Sequence, residues 1–508
     1  MSTTASATAI SDLRLPEPSI SVGSASRPAG RCVVVSDRLP IVLTREGGQG
    51  WRVSPSGGAL ISALKPVLND RRGVWIGWPG VTQEEAPGLR KVLAGAIQEG
   101  GGFSLRPVSV TDQEKRLAYR GFSGEAVWPL FHDLPLECTF SPSHWQAFLK
   151  VNRKFARAAA RTLARGAAGT DLVWVQGHLL MNLAAELKRL GATCRTAFFL
   201  HLPFPGPDLF LKIPWREELL AGLLAFDQLG FQTRRDFGNF LACVKALAPS
   251  SLQRVRAGVF PVGVDARQIE ERAAGPEVEA RLGALRSTLD GRRLIFGIDG
   301  LDRSKGIPEK LRAFAELLTR HPELQDQVTL VQVATPSHEG GPRHAALRAE
   351  IERLTGEING YFGRPGWVPV HYLHRELDRD ELLAYYRAAD VALVTPLKAG
   401  MHLAAKEFCA ANLEERGVLV LSEFAGAAEQ LGDRGDRRQG ALLVNPFDSQ
   451  QTARVLCRAL RMKDRERAAR MRKLRAEVRR HDVSWWAGSF LASAFAEPLG
   501  ERSALRNS

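Results

Sequence analysis

LIFGIDGLDRSKGIP, residues 294–308, decides how the rest of the chain reads. Its first five residues form a short apolar run, the pattern of a strand buried on both faces of a parallel sheet. A polar turn flanked by glycines follows, and PEKLRAFAELL from Pro308 onward reads as a helix with proline near its first turn. The turn carries Arg303, Ser304 and Lys305. A helix N-terminus offers unpaired N–H groups and two side chains add positive charge, so strand, turn and helix together describe an anion site. In open α/β sheets, ligands bind beyond the carboxyl ends of the strands. An ordinary βα loop with solvated cations has the same local pattern, so the flanking segments have to decide.

Outward from this stretch the alternation repeats. Strands are expected at 328–334, 368–373, 391–395, 418–422 and 441–444, with helices between them. Upstream, apolar runs at 31–36, 74–78, 171–175, 196–202 and 227–232 alternate with helical segments at 59–68, 143–164, 179–190 and 233–241. Strands and helices at this spacing imply parallel sheets with right-handed crossovers. At 508 residues the chain is too long for one typical core. Two α/β domains follow, 30–266 and 267–480, the second opened by a charged helical linker at 267–289. Residues 1–29, rich in Ser, Ala, Thr and Pro, read as a disordered leader. Residues 481–508 read as a helix crossing back to the first domain and a tail.

Hydrophobic content of 44% and charged content of 24% are those of a soluble globular protein. The net charge of +14 suits anionic ligands. Its arginines are scattered through helices and no dense basic run is interleaved with aromatics, which argues against nucleic acid. Six cysteines lie far apart with no Cys-x-x-Cys and no histidines at metal spacing, so free thiols in a reducing, cytoplasmic setting are expected. No apolar stretch approaches the roughly 20 residues of a membrane span, and no secretory signal is visible. Nothing in the sequence fixes whether the chain forms a homo-oligomer.

A set of short motifs in fixed order carries a resemblance. They are VSDR (35–38), SGG (56–58), WIGW (75–78), Tyr119 with FS (122–123) and WP (128–129), FFLHLPFP (198–205) and LGFQT (229–233). They continue with LD (301–302), SKG (304–306), ING (358–360), LVTPL (393–397), GM (400–401), AKE (405–407), FAGAA (424–428) and NP (445–446). With these the chain resembles the trehalose-6-phosphate synthase family of retaining glycosyltransferases, over residues 31–495. The resemblance implies a GT-B fold: two Rossmann-like domains, one for the acceptor and one for the nucleotide sugar, whose parallel sheets face an interdomain cleft. It also implies a UDP- or GDP-linked sugar as co-substrate, no other cofactor and no obligatory metal.

Site residues follow by the same resemblance. Lys305 matches the lysine on the leaving diphosphate, and Glu407 the carboxylate that takes the ribose hydroxyls. Gly400, Met401 and Leu403 match backbone at a helix start that meets sugar or phosphate oxygens. Gly57 and Gly58 match the pair that lets the first domain's backbone approach the donor, and His201 the histidine that bonds the donor sugar. Arg38, Tyr119 and Trp128 match the lining of the glucose-6-phosphate pocket. The mechanism implied is front-face attack with retention, in which the departing diphosphate oxygen takes the acceptor's proton.

Four positions depart from that pattern. Gly177 stands where the family has the acceptor-contacting aspartate, and Gly300 where an arginine joins Lys305 on the diphosphate. His338 stands where a second arginine holds the acceptor's phosphate, and Ala399 where an aspartate grips the donor sugar. Arg303 is the candidate replacement for the arginine missing at Gly300, and His178 for the proton-handling group lost beside Gly177. Losing an electrostatic donor from a transfer site costs about 100-fold or more in rate. The reading drawn from the sequence is therefore a transferase with altered donor and/or acceptor, of the natural-product or pseudoglycosyl type, taking a small sugar or cyclitol-like acceptor. A true trehalose-6-phosphate synthase and a non-catalytic subunit are the alternatives.

Overall fold

The computed structural model describes residues 30–46, 50–55, 59–71, 73–86, 102–164, 171–336, 340–432 and 440–496. The expectations placed on the leader, on Gly57 and Gly58, on His338 and on the tail beyond residue 496 lie outside the described residues.

The apolar runs become two parallel sheets. Chain order begins with β1 (Cys32–Arg38), an antiparallel hairpin of β2 (Ile41–Glu46) and β3 (Gly50–Pro55), then β4 (Val74–Trp78) and β5 (Ser104–Pro107). It continues with β6 (Leu172–Gln176), β7 (Arg195–Phe199), β8 (Gln228–Phe231) and β9 (Ala257–Val259). Outside the hairpin these strands form one sheet in the order β5-β4-β1-β6-β7-β8-β9. The second sheet holds β10 (Arg293–Gly300), β11 (Val328–Thr335), β12 (Val370–Leu373), β13 (Val391–Val394), β14 (Val418–Ser422) and β15 (Leu442–Val444). Its order is β12-β11-β10-β13-β14-β15, the doubly wound arrangement. Every paired strand in both sheets runs parallel. The hairpin was not anticipated from the sequence.

Both sheets reverse direction at a central strand. The chain leaves β1 to one side for β4 and β5, then returns to its other side for β6; β10 has the same relation to β11 and β13. Ligand crevices open at such reversals, beyond the carboxyl ends of the strands. The decisive strand, expected at 294–298, runs two residues further. Asp299 and Gly300 pair in register with Ala334 and Thr335, which leaves a shorter turn. That turn is a single 3₁₀ turn, Arg303–Lys305, followed by the helix Ile307–Arg320. Gly306 joins them at φ 67°, and a Cβ there would meet the Thr395 carbonyl at 2.8 Å, so only glycine suits the junction.

Two further elements shape the site. Residues Lys115–Val127 form a π-helical stretch that runs into the short helix Trp128–Phe131 and carries Tyr119 and Ser123 on the way. Such wide turns favour functional positions. At the other end of the chain the helix Val483–Phe495 packs on the first sheet. Trp486 and Phe490 lie among Trp174 and Phe199, with ring centroids 5.0–5.5 Å apart, and Arg195 donates to the Phe495 carbonyl at 2.8 Å. This helix, which follows the second domain, thereby straps the first. Among the described residues no helix is long and apolar enough to cross a membrane, and all six cysteines are free.

Candidate active site

The carboxyl ends of β1 and β6 present Asp37, Arg38, Gly177 and His178. Those of β10 and β13 present Lys305 and the segment 395–403. The two ends meet across a closed seam. Trp128 Nε1 donates to Asp302 Oδ2 at 3.1 Å, and Lys398 Nζ pairs with Asp133 at 2.9 Å. The first N–H groups of the helix Arg234–Leu247 reach Glu429 of the second domain at 3.0 and 3.3 Å. A carboxylate at a helix N-terminus is favourable through the unpaired N–H groups there. Gly400 lies so close to the other domain that a Cβ on it would stand 2.1 Å from the His201 carbonyl oxygen.

Lys305 lies on this seam. Asp302 organises its turn: Oδ1 accepts from the Ser304 N–H at 2.9 Å and from its hydroxyl, while Oδ2 takes Trp128. Among the described residues no carboxylate pairs with the Lys305 ammonium. Burial depresses His132 in the first domain and His402 in the second, and the Lys305 charge adds to both shifts. Arg303 is placed otherwise than expected. Its two terminal nitrogens hold Glu309 at 2.8 and 2.6 Å, in the first turn of the following helix. A bidentate guanidinium–carboxylate pair of this kind holds both terminal nitrogens toward the helix start, with N–H donors left over. Gly300 itself is exposed, and a Cβ there would meet nothing within 4 Å.

Glu407 projects from the helix Leu403–Ala411. One oxygen accepts from Arg379 at 3.0 Å and the other from the Tyr386 hydroxyl at 3.4 Å, with lone pairs to spare. Met401 is buried and its carbonyl accepts from the Ala427 N–H; Leu403 begins the helix and touches the first domain's apolar cluster. Ala399 is buried, its N–H bound to the Phe424 carbonyl, beside a small cleft lined by Thr233, Asp236, Lys398 and Gly426.

In the first domain Arg38 is exposed and lies over the Trp78 ring, 4.9 Å from its centroid. Tyr119 is buried against the same ring at 4.8 Å and donates to the Asp37 carbonyl at 3.2 Å. Burial and the Asp37 charge push its phenol well above the ordinary range, so it serves as a fixed donor. His178 shares a hydrogen bond of 2.6 Å with the Ser123 hydroxyl and lies 6.1 Å from Trp128, ring to ring. His201 Nε2 meets the Gln176 amide oxygen at 2.7 Å. Burial lowers both histidines, and His132 beside them, to about 4, so all three are neutral at pH 7.

Two residues with no role in the sequence reading stand out. Register places Ser36 opposite Gln176, so Asp37 falls beside Gly177, and a Cβ on Gly177 would stand 3.2 Å from Asp37 Oδ1. A carboxylate is thus present next to the position that lacks one. Gly177 has φ 94°, a conformation that suits glycine. His402 is the second, between Met401 and the helix start. A carboxylate at the end of β1 and a histidine before a helix were the available signals. Among the described residues no group of three or more His, Cys, Asp or Glu is arranged to hold a metal ion.

The buried histidines make the fold acid-sensitive. Between about pH 6.5 and 4 the unfolded chain takes up protons that His132, His178 and His201 do not, so stability is complete above that window and falls through it. Asp236, raised to about 6 by burial, acts in the opposite sense and is outnumbered by the depressed histidines. Melting temperatures across a pH series should therefore drop below pH 6.5; a rise on acidification contradicts the buried, neutral histidines.

Two facing Rossmann-like domains with facing switch points define the GT-B fold. The profile of "Glycosyltransferase family 20" matches residues 30–495. The trehalose-6-phosphate synthase of Mycobacterium tuberculosis (strain ATCC 25618 / H37Rv) is 40% identical over 491 residues, 92% of this chain and 95% of its own. Among solved structures, an α,α-trehalose-phosphate synthase (UDP-forming) from Burkholderia xenovorans in complex with glucose-6-phosphate superposes with a TM-score of 0.81. It is 32% identical and covered over 92% of this chain and 100% of its own. An E. coli structure described as trehalose-6-phosphate bound with UDP-2-fluoro glucose gives the same values. This chain belongs to glycosyltransferase family 20, as a trehalose-6-phosphate-synthase-like enzyme.

Proposed function

We propose that the chain is an α,α-trehalose-6-phosphate synthase, transferring glucose with retention from a nucleoside-diphosphate glucose to glucose 6-phosphate. The observation that carries this reading is the Lys305 ammonium on the seam, without a carboxylate partner among the described residues, at the switch point of the second sheet. Relatives that carry the synthase name at 40% identity over 92% of the chain support it, and the altered, natural-product specificity finds no counterpart among them. Lys305, with the start of the helix Ile307–Arg320, meets the charge that develops on the departing diphosphate. Glu407 accepts the ribose hydroxyls while Arg379 and Tyr386 fix its orientation. On the opposite side Arg38 is available to a phosphate and the Trp128 ring to a sugar face. The acceptor hydroxyl attacks on the face the diphosphate is leaving and passes its proton to a diphosphate oxygen. Closure of the seam excludes water, which would otherwise hydrolyse the donor.

Incubation with UDP-glucose or GDP-glucose and glucose 6-phosphate should release the nucleoside diphosphate and form trehalose 6-phosphate, identified by mass and by phosphatase conversion to trehalose. The same turnover is expected in the presence of a metal chelator. Gly300 and Ala399 favour one other reading, a donor with fewer or differently placed hydroxyls. Diphosphate release from such a donor, with none from glucose donors, selects that reading instead.

A further inference from the structure

His402 occupies the left-handed region, φ 72°, between Met401 and the helix Leu403–Ala411. A non-glycine residue held there marks local backbone strain, of a kind that collects at ligand clamps. Its side chain is 7% exposed, and Nε2 lies 3.3 Å from Asp299 Oδ1. Asp299 is an ionised carboxylate, buried against Lys310 and Gln332 Nε2. An ionised carboxylate only accepts, so Nε2 carries the proton and Nδ1 presents its lone pair. Nδ1 is buried and has no hydrogen-bond partner among the described residues. A buried polar atom without a partner costs stability unless a ligand or water completes it. This one lies at the N-terminus of a nine-residue helix, within the field of the unpaired Lys305.

We propose that His402 is a donor-binding residue. When a nucleoside-diphosphate sugar enters, Nδ1 takes a proton from solvent and donates it in a hydrogen bond to a diphosphate oxygen. His402 then supplies, beside Lys305, the second cation that Gly300 cannot. The proposal rests on the reading that the diphosphate lies at Lys305. Three charged groups face the imidazole: Asp299 from β10 favours its protonation, while Lys305 from the turn and Lys310 from the following helix oppose it. Burial opposes it as well, so in the empty site His402 titrates below its ordinary value and is neutral at pH 7. The negative charge of a diphosphate offsets the repulsion from Lys305, and protonation follows binding.

The test is calorimetry of UDP-glucose and of GDP-glucose, without acceptor, in buffers of different ionisation heat at pH 7.5. A sugar nucleotide's diphosphate does not titrate near neutrality, so any proton taken up belongs to the protein. The wild-type chain should take up a large fraction of one proton per ligand, and its affinity should weaken as pH rises. His402→Asn should abolish that uptake, flatten the pH dependence and weaken binding about 10- to 100-fold, the range of a hydrogen bond to a charged group. Asparagine tolerates the left-handed backbone, and His402→Gly, which also relieves the strain, gives a second variant should the first melt early. Binding without proton uptake, or equal uptake by wild type and variants, overturns the role of His402 and leaves the donor site standing. No binding of either sugar nucleotide to the wild type overturns the donor site itself.

Discussion

Lys305→Ala is expected to lower kcat/KM for glucosyl transfer by about 100- to 1,000-fold while leaving the melting temperature unchanged. The magnitude is that of deleting one preorganised electrostatic donor from a transfer site. The stability half of the expectation comes from the ammonium's surroundings: with no carboxylate partner among the described residues, its removal leaves no buried charge uncompensated. Lys305→Arg should recover only part of the loss, because a planar fork does not replace a compact ammonium at the same atom position. A second readout locates the residue independently of turnover. Burial and the Lys305 charge together depress His132 and His402, so in Lys305→Ala both imidazoles should titrate at higher pH, observable by NMR of the ring protons. Unaltered turnover sinks the donor-site assignment; unaltered histidine titrations place the ammonium elsewhere than on the seam.

The strands were legible because parallel strands, buried on both faces, spell their burial directly, as VALV at β13 and CVVV at β1 do. Helix starts were legible through Pro308 and Thr233, whose local chemistry marks a first turn. What stayed hidden depends on pairings that sequence order does not rank. Arg303 has several acidic neighbours along the chain, and only the geometry of the 3₁₀ turn and helix start selects Glu309 as the guanidinium's partner. Asp37 and Gly177 are far apart in sequence and adjacent only through the β1–β6 register. Sequence reasoning could therefore see that a carboxylate was missing at 177 but not that one stands beside it. The π-helical stretch that carries Tyr119 and Ser123 has no simple composition signal, and neither does the left-handed backbone at His402.

These placements also change how the departures weigh. Taken as isolated losses, four substitutions in one site argued for a different reaction. In the folded chain, Gly177 has Asp37 at its flank and the Gly300 side leaves open space. Lys398, next to Ala399, is spent on Asp133 across the seam. On the proposed reading, Asp37 at the neighbouring strand end offers, beside Gly177, the carboxylate that this position lacks.

The seam supplies the second large effect. Gly400→Ala should reduce kcat about 100-fold with little change in melting temperature. The added methyl would stand 2.1 Å from the His201 carbonyl oxygen, where carbon and oxygen ordinarily stay about 3.3 Å or more apart. The obstacle is backbone on both sides, so no side-chain rotation relieves it, and Gly426 in turn packs against the Gly400 carbonyl. The two domains must separate by roughly 1 Å, a misplacement of the size that costs about 100-fold in rate. The contacts that stretch are the Trp128–Asp302 and Lys398–Asp133 links and the Glu429 cap. Neither hydrophobic core is touched, which is why the melting temperature stays. On the proposed reading, sugar-nucleotide binding also draws on the Lys305 and Glu407 side chains, both in the second domain, and should weaken less than turnover. Gly283→Ala is the matched control: it lies mid-helix with nothing within 4 Å of an added Cβ, and turnover should be unaffected. Steady-state kinetics beside scattering of the ligand-bound enzyme measure both halves. A Gly400→Ala enzyme with full turnover means that the reaction does not require the two domains to meet at His201.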